Sequence, residues 1–163
     1  MKLGKDALSK EENDKVYLDF YSKLFEDLIK SRANYGYEFK GLMQAKIVTS
    51  GLISAADKEI IICCSKFSPD LWMDPKVFTS ISQALDKKVS FNVTSEGPVP
   101  RYLEAYLLKH NVQISYAIAD CIEPGNMIIC DTRAYSVMNS DALEGLVAFN
   151  DPVSAFNLRE PLV

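Results

Sequence analysis

The stretch PGNMIICDTRAYSVMN, residues 124–139, contains two short apolar runs separated by Asp-Thr-Arg. Runs of this length around a three-residue turn predict a β-hairpin whose turn lies at residues 131–133. A Pro-Gly pair stands immediately before the first run, and such a pair is typical of a turn at the mouth of a sheet. The hairpin is therefore a candidate position for functional side chains.

Strand and helix patterns alternate on both sides of the hairpin. The run EIIICCSKF (59–67) has the continuous apolar character of a strand that is covered on both faces. The following segments predict a helix over 75–85, a strand over 87–95, a helix over 98–110, a strand over 111–118 and, after the hairpin, a strand over 144–150. Asp151 and Pro152 then start a last helix. The order predicts an α/β fold, a mostly parallel mixed sheet flanked by helices, with the hairpin adding antiparallel strands.

Two helices are predicted before this unit. Ser9 and Glu12 form a capping box at the start of the first, which ends near Ser31. Its apolar stripe consists of Val16, Phe20, Tyr21, Leu24, Phe25, Leu28 and Ile29. The second helix is expected over 38–56. We expect residues 1–34 to form a helical extension and 35–163 the α/β domain, with the stripe buried against that domain or against another chain.

Composition narrows the class of protein. The chain has 163 residues, of which 48% are hydrophobic and 25% charged, as in a single globular domain. The net charge of −4 lowers the expectation of nonspecific nucleic-acid binding. We expect a cytoplasmic protein without membrane contact, because there is no long apolar stretch and no secretory signal. The four cysteines include no C-x-x-C pair, so we expect reduced, packed thiols and no metal or other cofactor.

Several segments together carry a family resemblance. They are ADKEIIICCSKFSPD (56–70), ALDKKVSFNVTSE (84–96), LLKHNVQISY (107–116), the hairpin, and GLVAFNDPVSAFNL (145–158). Over about residues 38–163 this pattern resembles one half of the phospholipase D superfamily, and the Asn-Asp-Pro ending is its most particular piece. The resemblance implies a catalytic H-x-K-x-x-x-x-D motif on the hairpin. In that motif a histidine attacks phosphorus, a second histidine protonates the leaving group, and lysines stabilise the phosphoryl oxygens.

The motif is degenerate in this chain. With Asp131 at the aspartate position, the histidine position holds Pro124 and the lysine position holds Asn126. The Gly-Ser step that follows the motif falls at Met138-Asn139 or Asn139-Ser140. The degenerate positions are thus Pro124, Asn126, Asp131, Asn139 and Ser140. We therefore expect no enzymatic activity and no catalytic residues, and we expect Asp131 to bind backbone N–H groups one or two residues further along the hairpin turn.

Other catalytic arrangements depend on His110, the only histidine in the chain. It is predicted at the end of a helix and away from the strand ends, where its charge favours the helix dipole. Acidic residues near the strand ends offer a metal site as an alternative, although we interpret them as helix caps and turn residues. They are Asp70, Asp74, Glu96, Asp120, Glu123 and Asp131.

The leading functional hypothesis is a non-catalytic phospholipase D-like binding protein: an adaptor, an inhibitor or a complex subunit that acts through protein–protein contacts. The loop FSPDLWMDP (67–75) carries the only tryptophan, and such residues are enriched at interfaces. The candidate partner-binding residues are Leu71, Trp72, Met73, Lys66 and Arg133. The competing interpretation of Trp72 is a lid over the domain's own core.

Two other classes of function stay open. One is nucleic-acid binding without cleavage through the former phosphate groove, with Lys66, Lys87, Lys88, Arg101 and Arg133 as the available cations. The other is an enzyme with a site of a different kind.

A homodimer is the expected assembly. Half-length members of the family that this chain resembles pair about a two-fold axis, hairpin to hairpin. We expect the hairpin side to expose an apolar patch in part, formed by Met127, Ile129, Tyr135, Val137 and Phe149. The alternative is that the helix over 9–31 folds back and covers this patch within one subunit.

Overall fold

A computed structural model of the chain describes residues 9–117 and 125–160. In these ranges the helices are α1 (Lys10–Lys30), α2 (Leu42–Ala55), α3 (Pro69–Trp72), α4 (Pro75–Asp86), α5 (Arg101–Lys109) and α6 (Pro152–Arg159). The strands are β1 (Gly36–Lys40), β2 (Glu59–Cys64), β3 (Ser90–Ser95), β4 (Ile114–Tyr116), β5 (Asn126–Cys130), β6 (Ala134–Met138) and β7 (Glu144–Ala148). None of the described helices is both long and apolar enough to cross a membrane.

The seven strands form one mixed sheet in the order β1-β7-β6-β5-β2-β3-β4. The β2–β3 and β3–β4 pairs are parallel, and the other four pairs are antiparallel. The predicted α/β class with a mixed sheet and flanking helices is confirmed. The antiparallel share is larger than expected, because β1 and β7 extend the sheet beyond the hairpin.

The two faces of the sheet are covered unequally. Side chains from α1 to α5 join one large core cluster with alternate strand residues such as Ile60, Ile62 and Ile128. The opposite face carries a smaller cluster, in which Ala155 and Leu158 of α6 pack over strand residues such as Ile61, Met127 and Ile129. Burial on both faces explains why β2 and β5 are apolar without alternation.

The predicted helix over 38–56 is wrong in its first part. Residues 36–40 form β1 at the edge of the sheet, and α2 begins only at Leu42. Phe39 is buried and Tyr37 is half-buried on the helix-covered face, while their neighbours are exposed. Gly36 is required by close packing, since a Cβ there would lie 2.6 Å from the Val147 carbonyl oxygen. Gly41, with φ +88°, allows the turn from strand to helix.

The other predicted elements are found, most of them with shorter bounds. Helix α4 ends one residue later than predicted, and α3 lies in the segment predicted as a loop. The β5–β6 hairpin and its turn at 131–133 are confirmed. Asp151 caps α6 as predicted, accepting a hydrogen bond from the Ser154 N–H at 3.1 Å. The Ser9–Glu12 capping box of α1 is also present. The division of the chain at residue 34 stays a prediction.

The hairpin side is not an open apolar patch, so this expectation is wrong. Met127, Ile129 and Tyr135 are buried in the cluster that α6 covers, and Val137 is half-buried beside them. Phe149 is buried on the other face, with its ring centroid 5.1 Å from that of Phe25 in α1. The physical reason is that the last helix folds over the hairpin.

Three cysteines are packed as expected. Cys63, Cys64 and Cys130 are free thiols buried in the sheet. Burial raises the pKa of Cys64 well above its ordinary value. Burial, with a further contribution from the Asp131 carboxylate, raises the pKa of Cys130 to about 12. The thiols therefore stay protonated at neutral pH and act as small apolar side chains. Cys121 lies outside the described residues.

Asp131 is bonded across the fold rather than within its own turn. Its carboxylate accepts hydrogen bonds from the backbone N–H groups of Asp57 (2.9 Å), Lys58 (2.8 Å) and Glu59 (2.9 Å). The expected bonds one or two residues along the hairpin are not the ones formed, because the turn faces the loop between α2 and β2. The carboxylate thereby fixes the start of β2 against the end of β5.

We predict that Asp131→Ala lowers the free energy of unfolding by about 2 kcal/mol, because three donors lose a charged acceptor while water replaces part of the loss. Asp131→Asn should cost less, since an amide oxygen accepts some of the same bonds and asparagine tolerates the positive φ of 51°. Urea denaturation measures both. Asp70→Ala, an exposed site in α3, is the control, and equal costs for Asp131→Ala and Asp70→Ala would contradict this role.

Candidate functional site at the strand ends

The end of β2 meets the start of β5 at one edge of the sheet. The antiparallel register places Cys64 opposite Asn126. One residue beyond β2, the Ser65 N–H donates to the Gly125 carbonyl at 2.7 Å. β3 ends beside them, where the Glu96 N–H donates to the Cys64 carbonyl at 3.1 Å. Loops that follow parallel strands converge at this edge, which is where α/β sheets usually bind ligands.

Three polar side chains form the strand-end cluster, defined as Ser65, Asn126 and Ser140. The two serine hydroxyls lie 2.8 Å apart, and the Asn126 side chain is 98% buried beneath them. We assign the Asn126 amide nitrogen toward the Lys66 carbonyl (3.2 Å), the Gly125 carbonyl (3.1 Å) and the Ser140 hydroxyl (3.1 Å), because the two carbonyls can only accept. The lysine and serine positions of the degenerate motif are thus in direct contact.

Gly125 shapes the floor of this cluster. Its φ of +133° is disfavoured for residues with a side chain. A Cβ there would also lie 2.9 Å from the Ser140 hydroxyl and 3.0 Å from the Met138 carbonyl. The Pro-Gly pair in the sequence therefore marks a close approach of two backbones. Pro124 itself lies outside the described residues.

Lys66 and Arg101 supply positive charge near the cluster. The Lys66 ammonium is largely exposed and 3.9 Å from an exposed Asp141 carboxylate, a separation that contributes little. Both cations line an open cavity of 630 Å³ at the strand ends, beside Ser65 and Val99. Asn139 is a turn residue, because its side-chain oxygen accepts from the N–H groups of residues 141 and 142.

The other predicted site residues do not reach this edge. Asp131 lies at the opposite end of β5. His110 caps the end of α5, before β4, with its Nδ1 atom 2.9 Å from the Tyr106 carbonyl oxygen. Asp74 is the N-cap of α4 and pairs with Lys46 at 3.0 Å. Asp120 and Glu123 fall outside the described residues, within which no group of three potential ligands could hold a metal.

The prediction that the loop at 67–75 presents Leu71, Trp72 and Met73 to a partner is wrong. Leu71 and Trp72 are fully buried and Met73 is half-buried, so the loop folds onto the core as the competing interpretation predicted. The Trp72 ring packs against Phe67 with centroids 5.0 Å apart. Residues 69–72 form a helical turn that points the indole inward. Lys66 and Arg133 are not brought together either, since Arg133 sits in the hairpin turn at the far edge.

Hydrogen bonding to anionic oxygens is the chemistry that this site offers. Two hydroxyls and an amide are in contact at this site, and the Lys66 backbone carbonyl lies beside them. The sequence comparison places Ser140 and Asn126 at motif positions. The contact between them, and the role of Gly125, could be found only from the register of β2 and β5.

Comparisons with solved structures support the fold. Nuc, a phospholipase D family member from Salmonella typhimurium, matches with a TM-score of 0.61 and 14% identity over 78% of this chain and 92% of that one. TrmBL2, described as an archaeal chromatin protein with a novel mode of DNA binding, matches with a TM-score of 0.58 and 15% identity. That match covers 93% of this chain, which spans 59% of TrmBL2.

A third structure, phosphatidylserine synthase from Haemophilus influenzae Rd KW20, matches with a TM-score of 0.48 and 12% identity over 77% of this chain and 36% of that one. No protein-family model and no curated protein matches the sequence. The chain has a phospholipase D-like α/β fold with an additional N-terminal helix.

The expectation that the chain is not an enzyme is contradicted by these matches. The fold is shared with Nuc, a phospholipase D family member. The motif comparison considered only the histidine and lysine positions, whereas the fold also gathers other hydrogen-bonding groups at the strand ends. The loss of two motif residues was too narrow a ground for classing the chain as a non-enzyme.

We predict that Ser140→Ala lowers the free energy of unfolding by about 1 kcal/mol, because it leaves the Ser65 hydroxyl and the buried Asn126 amide short of a partner. Ser115→Ala, at an exposed position on β4, is the matched control and should change stability by less than half of that. Chemical denaturation of the two variants is the measurement. An unchanged stability in Ser140→Ala would show that the strand-end cluster is not formed.

Proposed function

We propose that the chain is a phospholipase D-like binding protein, an adaptor or complex subunit, that acts through protein–protein contacts and pairs with a second copy of itself through α1. The observation that carries the proposal is a second apolar stripe on α1 that the described part of the subunit (9–117 and 125–160) leaves uncovered. A cytoplasmic setting is part of the proposal and is supported by the three buried free thiols, which are typical of reducing compartments.

The apolar residues of α1 divide into two faces. Phe25 and Ile29 are buried against α2 and the sheet, with Tyr21 and Leu28 packed beside them. A hydrogen bond of 2.6 Å from the Gln44 amide to the Tyr17 hydroxyl ties the same face to α2. The helix is therefore attached to its own subunit by one side only.

The other face exposes Val16, Phe20 and Leu24, with 58%, 63% and 41% of their surface accessible. They are spaced four residues apart, so they form one row along the helix. A row of three large apolar side chains is more than the single exposed residues that are common on soluble proteins. It has the spacing of a helix that packs against another helix.

The charges beside this row favour a second, antiparallel copy of α1. The adjacent row on the solvent side consists of Glu12, Lys15, Asp19, Lys23, Glu26 and Lys30, all exposed and none in a salt bridge within the described residues. In an antiparallel pair whose two-fold axis is level with Tyr21, Glu12 faces Lys30 of the partner subunit and Asp19 faces Lys23 of the partner subunit. Lys15 likewise faces Glu26 of the partner subunit.

This arrangement sets opposite charges against each other at these three levels. The same axis puts Leu24 of one copy level with the gap between Val16 and Phe20 of the partner subunit, so the two apolar rows interdigitate in an isologous dimer. The TrmBL2 match supports α1 as an integral part of the fold. A match over 93% of the chain must include part of a helix of 21 residues.

We predict that the intact chain at micromolar concentration has twice the 18.3 kDa mass of the chain. Phe20→Glu should halve that mass, because it places a carboxylate at the centre of the apolar row. Light scattering coupled to size-exclusion chromatography measures the mass. Tyr102→Glu, at a position on α5 that is 65% exposed, is the control and should stay dimeric.

Charge reversal tests the antiparallel register itself. Lys23→Glu should weaken the dimer, because the new glutamate of each copy would face Asp19 of the partner subunit. The double change Asp19→Lys with Lys23→Glu exchanges the two charges and should restore the dimer. A monomeric intact chain would contradict the proposal. So would a dimer whose mass is the same in Phe20→Glu, in Lys23→Glu and in the double variant.

Nucleic-acid binding is the second candidate, and the DNA binding stated for TrmBL2 is the observation that favours it. Lys66 and Arg101 at the strand-end cavity would contact phosphates. Fluorescence anisotropy with a double-stranded oligonucleotide at two salt concentrations should then show weaker binding at high salt and in Lys66→Gln. Lys109→Gln, at the far end of α5, is the control. Equal affinity for both variants would remove the strand-end cavity from consideration.

A further inference from the structure

A second cavity, of 520 Å³, lies on the other side of the molecule between α1, α2, α4 and the β5–β6 turn. We infer that this interhelical cavity binds a small molecule that carries a phosphate group. Its volume suits a metabolite-sized ligand. It is separate from the strand-end cluster, because it opens beside the hairpin turn at the opposite edge of the sheet.

The charges around the interhelical cavity point to an anion. The cations that line it are Lys30 and Arg32 from α1 and its end, Lys76 from α4, and Arg133 from the hairpin turn. None of these four forms a salt bridge with any acid in the described part of the chain. The lining acids are two, Glu26 and Asp57. Lys30 also belongs to the charged row of the proposed dimer, so Arg32, Lys76 and Arg133, from three separate parts of the fold, are the cations assigned to a ligand. Their mutual repulsion falls when a phosphate binds among them.

Lys76 is the best positioned of these cations. Its ammonium donates a hydrogen bond of 2.6 Å to the Ser22 hydroxyl, which spans the cavity from α4 to α1. This bond holds the ammonium at the cavity and leaves its other two N–H donors available to a ligand. The adjacent Asp74 carboxylate is engaged elsewhere, by Lys46 and by the first turn of α4.

The floor of the cavity is small and hydroxylated. Ser50, Gly51 and Ser54 of α2 lie along it, and Gly51 is required because any side chain there would collide with the ring of Phe25. The Ser54 hydroxyl donates to the Ser80 hydroxyl at 3.0 Å, and Ser80 in turn donates to the Lys76 carbonyl at 3.0 Å. The Ser50 hydroxyl donates to the Ile47 carbonyl, so the hydroxyl protons of the floor are used within the protein. Ser22, which accepts from Lys76, is the lining serine whose own proton is left for a phosphate oxygen.

The two lining carboxylates restrict the chemical groups that the rest of the ligand can carry. Glu26 and Asp57 would repel a continuous phosphate backbone but accept hydrogen bonds from hydroxyl groups. Three helices bound the cavity, which limits the size of a ligand that lies within it. A phosphomonoester with a hydroxylated body, such as a sugar phosphate, meets the cations with its phosphate and the carboxylates with its hydroxyls. Free inorganic phosphate would make the same contacts with the cations but none through hydroxyl groups of a ligand body.

Isothermal titration calorimetry of the full chain with ribose 5-phosphate, inorganic phosphate and ribose tests the inference. Both phosphates should bind at millimolar or lower concentration, and ribose should not. Lys76→Gln should weaken phosphate binding at least tenfold, and the double change Lys76→Gln with Arg133→Gln should abolish it. Lys87→Gln, beyond the end of α4 and away from the cavity, is the matched control and should bind normally.

A cavity-filling pair of variants gives a second reading that does not depend on charge. Ser54→Phe should block binding, whereas Ser54→Ala should reduce it no more than threefold. Tighter binding of ribose 5-phosphate than of inorganic phosphate supports a phosphomonoester, and equal binding supports a site for free phosphate. Absence of binding by both phosphates, or normal binding in the folded double variant, would overturn the inference.

Lys76, Arg133 and Ser54 lie outside α1, so the same samples separate this inference from the proposed dimer. Light scattering on the double variant should give the mass of the intact chain. Phosphate binding by a monomeric chain would support the cavity while contradicting the dimer, and a dimer without phosphate binding would do the reverse.

Discussion

The antiparallel pairing of β2 with β5 is the interaction on which the rest of the structure depends. It joins the parallel strands β2, β3 and β4 to the antiparallel strands β5, β6, β7 and β1. Ile61 faces Ile129 and Ile62 faces Ile128 along the pair, so both faces of the junction are apolar and buried. A shift of one residue would exchange the two faces and expose side chains that now belong to the two core clusters.

Polar bonds fix this register at both ends. At one end the Asp131 carboxylate holds three successive N–H groups before β2. At the other end Ser65 bonds to Gly125, and the strand-end cluster forms above them. The same register therefore produces the fold and places the hydroxyls and the amide together. Asp131 therefore has a structural role in this register, and Asn126 with Ser140 has a hydrogen-bonding one.

The local parts of this architecture could be predicted from the sequence. The hairpin, the apolar strand at 59–64 and the capped starts of α1 and α6 depend on residues close together in the chain, so their patterns identify them. β1 could not be recognised, because five residues with a glycine are too short to differ from a helix start, and only pairing with β7 makes them a strand.

The environments of individual side chains were harder to predict from the sequence, because they depend on residues that are far apart in the chain. Trp72 resembles an interface residue in sequence and becomes a core residue when α3 turns it inward. Asp131 was expected to bind N–H groups within its own turn, but its partners lie 72 to 74 positions away. The interhelical cavity draws its cations from α1, α4 and the hairpin turn, so no local pattern marks it. For the same reason the sequence shows a single apolar stripe on α1, and only the packing against α2 divides this stripe into a buried face and an exposed face.

The central claim is that α1 pairs with α1 of a second copy in an antiparallel manner. Its most direct test is a distance measurement between spin labels placed at Lys23→Cys in a Cys121→Ser background, in which the other thiols are buried. Helices packed at the usual separation of about 8–10 Å predict a narrow distance distribution between the two labels. A signal that decays only with the uniform background, at concentrations of tens of micromolar, would contradict the claim.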